Sequence, residues 1–435
     1  MTATTVHVLL ASLLTVAIAG CREEPHPHDL SRPPVDMIIT GDMTGDMANS
    51  STDLSGPPRD MSTRPGDMAM SGDMNGPAGD MAGPAGDMTP VGDMRPPPAD
   101  LAGADMTPSG DPSEFIVLIV GDGTAGLTSA ATAAFLERHK VNDGTLVGVP
   151  IALPTAVSGT NRRLTIAGTS ASEGSLSRSV NGKYVLFGGY DAAAGTANVA
   201  GTMGLATSRV LGRLDSAGVV DTSTAGDFFS MTSLRSVVST DGSPLWASGS
   251  AGLVYTTFGS TTTPTALLAL NARWIQILSG QLYVSSGSAA NHGISQIGTG
   301  TPTTATTATL LNGFAAQPMT SYYGFIGLDR DATPGIDVIY AADDRPMGGG
   351  IQRWTLSGTT WKLDGTIAKG LTAGTRALTG FISGGKVVLL ATTAELPTRV
   401  VSFIDDGTAL DMLASKQLAT AATNTAHRGI ALAPQ

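Results

Sequence analysis

The sequence predicts an all-β protein: a β-propeller of about six four-stranded blades over residues 113–435, preceded by a disordered tether. Two observations predict the blades. Short strands with period-two alternation recur through this region, and turn residues separate them into four-strand units spaced about 40–60 residues apart. A third observation predicts the tether: residues 22–112 hold 15 of the 25 prolines and none of the 10 Phe, 7 Tyr and 4 Trp. Such a segment buries too little apolar surface to offset its ordering entropy.

The net charge of the chain belongs to the tether. Residues 22–112 carry 14 Asp, 2 Glu and 5 Arg, which account for the whole formal net charge of −11, while residues 113–435 hold 20 acidic and 20 basic residues. Nucleic-acid-binding domains carry a clustered Lys/Arg face. The equal numbers of acidic and basic residues in the folded region therefore predict no nucleic-acid partner. Separately, we expect the protein to be a monomer.

The amino terminus has the pattern of an export signal. An uncharged apolar run over residues 5–20 ends in small residues directly before Cys21, the single cysteine of the chain. The run suits a signal-peptide core and is too short to span a bilayer. Ile18-Ala19-Gly20-Cys21 resembles the bacterial lipobox, which implies removal of residues 1–20, a membrane anchor at Cys21 and, with Arg22 next, sorting to the outer membrane. An ordinary secretory peptide with a chance cysteine remains the alternative.

Residues 21–112 form a repetitive linker. Asp-Met or Asp-Leu occurs 13 times between Asp29 and Met106, and seven of the 12 successive spacings are seven residues. A coiled coil is excluded because each proline in a helix interior costs about 3 kcal/mol. Metal capture is disfavoured because thioethers and carboxylates prefer ions of different softness. We predict a disordered spacer, and the repeat resembles linkers of myxobacterial surface lipoproteins.

A glycine motif near the start of the folded region imitates a cofactor site. Residues 121–126 (GDGTAG) follow the apolar run Phe115–Val120 and precede residues 127–140, which could form a helix. Read locally, this is the G-x-G-x-x-G fingerprint of a dinucleotide-binding fold. No later βαβ unit follows, and the remaining sequence alternates on period two. We therefore expect no dinucleotide and assign this segment to the first blade.

The repeated strands define the blades. One set has an apolar core followed by small or polar residues: Phe115–Asp122, Lys183–Asp191, Pro244–Ser250, Gln281–Gly287, Asp337–Asp344 and Lys386–Thr393. All but the first follow a leading strand: Leu176–Val180, Leu234–Ser239, Arg273–Leu278, Tyr322–Leu328 and Arg376–Ile382. The lone last strand, Arg428–Pro434, is predicted to supply the missing leading strand and close the ring. Seven blades remain the alternative, if Arg162–Gly168 belongs to an additional blade.

Several sequence runs carry a family resemblance. The runs SEGSLSRSVNGKYVLFGGYD, PGIDVIYAADD, GGIQRWTLSGTTW and ATNTAHRGIALAP, among others, resemble a family of secreted bacterial propeller modules. Such modules occur alone or beside extracellular hydrolase domains. The resemblance covers residues 114–435 and implies the propeller fold. The family has no assigned activity, so it implies no site residue.

Arginines recur in the predicted leading strands. They are Arg178, Arg235, Arg273, Arg376 and Arg428, with Tyr322-Tyr323 at the equivalent place in the fifth blade. Leading strands line the central channel of a propeller. The five arginines therefore form a candidate anion site for a carboxylate, sulfate or phosphate, such as that of an anionic glycan. The alternative is structural: each arginine pairs with an Asp or a carbonyl of the neighbouring blade.

One loop resembles a calcium site. Asp329, Asp331, Thr333 and Asp337 follow a D-x-D-x-[ST] pattern, but Pro334 interrupts it and the glycine comes one residue late. We expect no cofactor, with calcium at this loop as the alternative to a plain acidic turn.

No catalytic constellation stands out in the folded region. The G-x-S-x-G, HExxH and CxxC motifs are absent from the sequence, and its four tryptophans are assigned to blade packing. We therefore expect a lipid-anchored binding or scaffolding module for an extracellular ligand, displayed at the outer membrane. The alternative is an enzyme, a polysaccharide or lactone lyase or hydrolase, with its site at the channel mouth.

Overall fold

The computed structural model describes residues 112–435, so the predicted signal peptide, the lipidation site at Cys21 and nearly all of the predicted linker lie outside the described residues. This part of the chain contains 26 β-strands and four short 3-10 turns, and it has no α-helix. Accordingly, no helix among these residues is long and apolar enough to cross a membrane.

The strands are short and follow one another closely. Those of the first half are β1 (Glu114–Val120), β2 (Ala131–Thr132), β3 (Ala134–Lys140), β4 (Leu146–Ala152), β5 (Ile166–Ala167), β6 (Ser177–Arg178), β7 (Tyr184–Tyr190), β8 (Arg209–Asp215), β9 (Val220–Gly226), β10 (Leu234–Ser239), β11 (Pro244–Gly249), β12 (Gly252–Thr257) and β13 (Thr265–Leu268). Those of the second half are β14 (Ala272–Leu278), β15 (Gln281–Ser286), β16 (Gly293–Ile297), β17 (Ala308–Leu310), β18 (Tyr322–Leu328), β19 (Val338–Asp343), β20 (Gly350–Ser357), β21 (Thr360–Ile367), β22 (Thr375–Ser383), β23 (Lys386–Thr393), β24 (Arg399–Asp405), β25 (Lys416–Thr420) and β26 (Ala426–Leu432). The 3-10 turns are Val199–Gly201, Ala289–Asn291, Phe314–Ala316 and Leu410–Met412.

Six four-stranded antiparallel sheets form the blades. In order, blades 1 to 6 are β26-β1-β3-β4, β6-β7-β8-β9, β10-β11-β12-β13, β14-β15-β16-β17, β18-β19-β20-β21 and β22-β23-β24-β25. We call the first strand of each sheet its inner strand. The inner strand of each blade contacts that of the next, and β26 contacts both β22 and β6, which closes the ring. The predicted propeller of about six blades is thus confirmed.

The carboxyl terminus supplies the missing strand of blade 1, as predicted. Strand β26 pairs antiparallel with β1, from Phe115 opposite Leu432 to Val120 opposite Ala426. The strand begins and ends two residues earlier than the sequence pattern suggested. This pairing covers the edge of β1, which would otherwise be free to pair with another chain.

Residues 112–435 contain six blades and no seventh. Of the segment Arg162–Gly168, only β5 is a strand, and it pairs with β2 in a two-stranded sheet between blades 1 and 2. The glycine motif is likewise part of blade 1. Residues 121–126 form a turn, and the following residues continue as strands β2 and β3 where a dinucleotide-binding fold would have a helix.

Apolar clusters fill the spaces between neighbouring blades. Blades 1 and 2 share one cluster, blades 2 and 3 another, and the pattern continues round the ring. The four tryptophans are all buried in these clusters, as predicted. Trp354 of blade 5 stacks on Phe314 of blade 4 with ring centroids 4.1 Å apart. Because each blade packs on two others, the inner strands are held at fixed positions around the centre.

Candidate functional site

Five of the six inner strands carry the same irregularity near their first residues. The pairing register shifts there by one residue, in β10, β14, β18, β22 and at the junction of β26 with β1. Such a β-bulge re-aims the side chains at its position. At each bulge one large polar side chain stands two residues before a fully buried apolar residue. These side chains, which we call the inner ring, are Arg235, Arg273, Tyr323, Arg376 and Arg428.

Two arginines of the inner ring reach across to the start of the next blade. Arg235 Nη1 of blade 3 donates to Asn271 Oδ1 at 2.7 Å and to the carbonyl oxygen of Ala272 at 2.8 Å, where blade 4 begins. Arg273 Nη1 of blade 4 donates to Ser321 Oγ and to the carbonyl oxygen of Tyr322, both at 2.9 Å, where blade 5 begins. These bonds tie each blade to the next.

The remaining contacts extend the ring through blades 5, 6 and 1. The centre of the Tyr323 ring lies 4.5 Å from the Arg273 guanidinium and 5.9 Å from that of Arg376, so two cations lie within cation–π distance of it. Arg376 Nε donates to Asp344 Oδ2 of blade 5 at 3.0 Å. Arg428 Nη2 donates to the carbonyl oxygen of Gly168, between blades 1 and 2, at 2.7 Å. The interblade pairing expected as the structural alternative is therefore present.

Positive charge nevertheless exceeds negative charge around the ring. Among residues 112–435, Arg376 has a carboxylate partner, but Arg235, Arg273 and Arg428 have none. Arg428 is only 8% exposed, and burial together with the charge of Arg376 lowers its pKa to about 10, so it remains a cation at neutral pH. The Nε atoms of Arg235 and Arg428 have no hydrogen-bond partner. Both atoms are enclosed by protein and inaccessible to solvent.

Arg178 does not share this position. It pairs with Val185, the second residue of β7, as Ser239 pairs with Leu245, the second residue of β11. Arg178 therefore corresponds to Ser239, four residues further along the inner strand than Arg235. Its Nε donates to the carbonyl oxygen of Gly182 in the adjacent hairpin turn at 3.1 Å. The place of the ring side chain in blade 2 is occupied by Gly174.

The spacing to the hairpin turn could have revealed this difference. Arg235 and Arg273 each stand seven residues before a turn glycine with positive φ, at Gly242 and Gly280, whereas Arg178 stands only four residues before Gly182. A side chain placed four residues before the turn lies near the opposite end of the inner strand.

Glu173 is a residue that the sequence patterns did not single out. It precedes Gly174, is 3% exposed, and accepts the Tyr190 hydroxyl at 3.0 Å and the Ala167 N–H at 3.2 Å. Burial raises the pKa of this carboxyl above its usual value, against the hydrogen bonds that it accepts. Its neighbour Gly174 lies against the ring, because a Cβ added there would be 3.2 Å from the Arg428 Cβ. No local sequence pattern identifies Glu173, because its raised pKa results from burial by residues distant in the chain.

The acidic loop brings three of its predicted members together. The carboxylates of Asp329, Asp331 and Asp337 lie within 4.8 Å of one another, with Asp329 and Asp331 exposed. Each accepts a backbone N–H of the loop itself, from Gly335, Thr333 and Arg330 respectively. Thr333 takes part through its backbone N–H. The geometry is that of an acidic turn, and calcium binding here stays a prediction.

The comparisons with known proteins are distant. No protein-family model matches the sequence, and neither does any curated protein. Among solved structures, a provisionally named 6-phosphogluconolactonase of Bacteroides fragilis is 12% identical, with 74% of this chain and 99% of that chain covered and a TM-score of 0.40. A protein of unknown function from Bacteroides caccae is 9% identical, with 74% and 98% covered and a TM-score of 0.40. A nidogen/laminin complex is 14% identical, with 73% and 97% covered and a TM-score of 0.37. Likenesses at this level carry no argument about function.

Proposed function

We propose that this protein is a binding module whose inner ring takes an anionic group, such as the carboxylate, sulfate or phosphate of a glycan. One observation carries the proposal: three of the four ring guanidiniums have no carboxylate partner among the described residues. Natural proteins rarely leave several partly buried cations without anions, because desolvating each charge is costly. An incoming anion would form charge-assisted hydrogen bonds with these donors.

The alternative of an envelope hydrolase or lyase has less support at this site. Such an enzyme commonly needs two carboxyl groups with access to substrate. Near the inner ring, Asp344 is paired with Arg376 and Glu173 is buried with both oxygens hydrogen-bonded. These contacts favour ligand capture over acid–base chemistry.

The proposal is tested by titrating the protein with inorganic sulfate, with phosphate and with a uronic-acid oligosaccharide in a calorimeter. Arg235→Gln and Arg273→Gln each remove one unpaired charge, and each should weaken anion binding about tenfold, or about 1.4 kcal/mol. Arg213→Gln is the matched control. Like the ring arginines, Arg213 donates to a carbonyl oxygen, that of Gly242, and it also stacks on Phe258. Unlike them, it lies on β8, which is not an inner strand.

The control variant should bind the anion as the wild type does. If Arg235→Gln lowers the melting temperature but leaves the anion affinity unchanged, the arginines serve blade contacts alone and the proposal fails. Equal losses in Arg235→Gln and Arg213→Gln would point to nonspecific charge screening and would also reject it.

We further propose that the propeller is displayed at the outer membrane through a lipid on Cys21. The support is the lipobox-like sequence before Cys21 and the long Asp-Met linker after it. Two acyl signals give stable anchoring, since each buried CH₂ contributes about 0.8 kcal/mol. In cells fed an alkyne-labelled fatty acid, the wild-type chain should be labelled and Cys21→Ala should not. Arg22→Asp is the control: it should keep the label and move to the inner membrane.

A further inference from the structure

The methionines of the propeller are all exposed. Residues 112–435 contain five of them, and their exposed fractions lie between 58% and 86%. They are Met203, Met231, Met319, Met347 and Met412. Methionine is ordinarily among the residues most often fully buried. A flexible, polarisable side chain that is exposed this consistently is typical of surfaces that adapt to an apolar partner.

Four of the five lie at the same end of the propeller as the inner ring. The ring side chains stand near the first residues of the inner strands, so loops that lead into inner strands open at that end, which we call the ring face. Because neighbouring strands are antiparallel, loops that join second to third strands open there as well. Met231 and Met319 lie in loops of the first kind, and Met203 and Met347 in loops of the second. Met412 lies instead against β21, at the outer edge of blade 5.

Two leucines share this placement. Leu205 and Leu396 are 82% and 88% exposed, and both lie in loops between second and third strands. We call these leucines and the four methionines of the ring face the apolar tips. They come from blades 2, 5 and 6 and from the connections of blade 2 to blade 3 and of blade 4 to blade 5. Tips distributed in this way do not line one groove, and they fit a broad, deformable surface better than a single peptide.

The loops of blade 2 hold their tips in place at a cost. The Met231 N–H donates to the carbonyl oxygen of Thr202 at 2.9 Å, which joins the loop before β10 to the loop that carries Met203. Arg209 is fully buried and donates to the carbonyl oxygens of Thr202 and Thr232, which fixes both loops. Met231 has a φ of 58°, in the left-handed region that residues other than glycine seldom adopt. Strain of this kind is concentrated in functional segments.

The charges beside the tips favour an anionic surface. Arg345 lies two residues before Met347, and its side chain is 31% exposed, whereas that of its partner Asp343 is fully buried. Arg399 follows the Leu396 loop, and its side chain is 19% exposed against 10% for its partner Glu395. In both pairs the cation is the more exposed member. Apolar side chains flanked by exposed cations are the combination that binds anionic headgroups at a membrane interface.

We propose that the ring face lies on an anionic phospholipid surface, with the apolar tips inserted among the headgroups and Arg345 and Arg399 facing the phosphates. Insertion removes apolar side-chain area from water, which is the main source of affinity. The inference does not depend on the proposed anion site, because the tips bind the lipid whether or not the inner ring is occupied. The two proposals are compatible, since headgroups present anions to this face.

The experiment is flotation of the chain from residue 21 onward with vesicles of phosphatidylcholine and phosphatidylglycerol in a ratio of about 3:1. The chain carries Cys21→Ala, so that neither the predicted signal peptide nor an acyl chain contributes. It should float with these vesicles and bind about tenfold more weakly to phosphatidylcholine alone. The vesicles should also slow oxidation of Met319 and Met347 by hydrogen peroxide at least about fivefold, while Met412 reacts as before. Mass spectrometry of peptides measures this protection without any change to the tips.

A matched pair of double variants tests the tips. Met347→Gln with Leu396→Gln should weaken vesicle binding at least about tenfold, because two apolar tips become polar. The control is Val219→Thr with Ile404→Thr, which are 59% and 54% exposed at the opposite end of blades 2 and 6 and should bind as the parent does.

Three outcomes overturn the proposal. They are no flotation of the parent chain, equal losses in the two double variants, and self-association of the parent that Met347→Gln with Leu396→Gln abolishes, which would assign the ring face to a second copy. Arg235→Gln, which tests the anion site, should change vesicle affinity by less than about twofold. The two proposals therefore fail separately.

Discussion

A single buried carboxyl group, Glu173, links the approach to blade 2 with the start of blade 3. The Tyr190 hydroxyl donates to Glu173 at 3.0 Å and accepts the N–H of Leu234, the first residue of β10, at 3.3 Å. The Arg209 guanidinium lies 5.1 Å from the Tyr190 ring without pairing with Glu173. Glu173 is thus hydrogen-bonded but not neutralised by a direct ion pair.

We expect Glu173 to make the stability of the protein fall as pH rises. Burial raises the pKa of this carboxyl in the folded state. The folded protein therefore binds the proton more tightly than the unfolded chain, and this contribution is present below the unfolded pKa and lost as pH rises through the folded value. Glu173→Gln should remove this pH-dependent loss. Urea unfolding of both proteins at several pH values between 4 and 8 measures the difference.

The control for this measurement is Asp241→Asn, in an exposed turn of blade 3. It should keep the pH dependence of the wild type. Parallel stability curves for the wild type and Glu173→Gln would show that Glu173 titrates normally and would contradict the expectation.

At the scale of the blades, Asp405 joins blade 6 to blade 5. This residue ends β24, is fully buried, and accepts the Tyr340 hydroxyl of β19 at 2.5 Å and Arg353 Nη1 of β20 at 2.9 Å. Burial opposes ionisation, but the bonds from Tyr340 and Arg353 outweigh it and lower the pKa of Asp405. A charged hydrogen-bonded group therefore holds these two blades together.

Asp405→Asn should lower the free energy of unfolding by about 2–4 kcal/mol at pH 7, because Arg353 and Tyr340 lose a buried anion. Since the folded pKa is depressed, the stabilisation is present above the unfolded pKa and is lost as pH falls through the folded pKa. The gap between wild type and variant should therefore narrow below about pH 4. Urea unfolding at pH 7 and at pH 3 measures both effects.

Asp406→Asn provides the comparison. Asp406 is the next residue, and its one ion pair within the described part of the chain is a loose contact to Lys386 at 3.9 Å. This variant should unfold at the same urea concentration as the wild type. A loss in Asp406→Asn as large as that in Asp405→Asn would assign the effect to net charge and not to the interblade bonds.

For the molecule as a whole, the closing strand determines whether the ring is complete. Strand β26 is buried along its entire length, and it contacts the inner strands of blades 6 and 2 as well as β1. The Gly429 position is so close to blade 2 that an added Cβ would lie 2.4 Å from the carbonyl oxygen of Gly174. The last ten residues are therefore an integral part of the fold.

Deletion of residues 426–435 should abolish cooperative unfolding and cause self-association, because it exposes the edge of β1 and the apolar residues beneath β26. Size-exclusion chromatography and thermal denaturation measure the two effects. Deletion of Gln435 alone is the control, since it removes one hydrogen bond to Gly182 and leaves β26 intact. A monomeric, cooperatively folding 1–425 chain would contradict the role of the strand.

Local patterns were sufficient to predict the propeller, its blade strands and its closure. Alternation on period two and the spacing of turns are properties of residues close in the sequence. Both can be recognised without knowing which strands pack against each other. From the same patterns we predicted equivalent strand positions for Arg235, Arg273, Arg376 and Arg428. The spacing of aspartates within one loop also predicted that three of them lie close together.

Tertiary structure alone decided the composition of the site. Whether Arg178 joins the inner ring depends on the register of β6 against β7. Strand pairing sets this register, and the composition of the strand does not determine it. The raised pKa of Glu173 and the unpartnered nitrogen of His427 result from burial by residues distant in the chain. A cleft beside His427 forms only when the carboxyl-terminal strand β26 pairs with β1 of blade 1. These two paired strands are more than 300 residues apart in the sequence. Burial, register and ring closure are non-local, and for that reason no pattern along the sequence contains them.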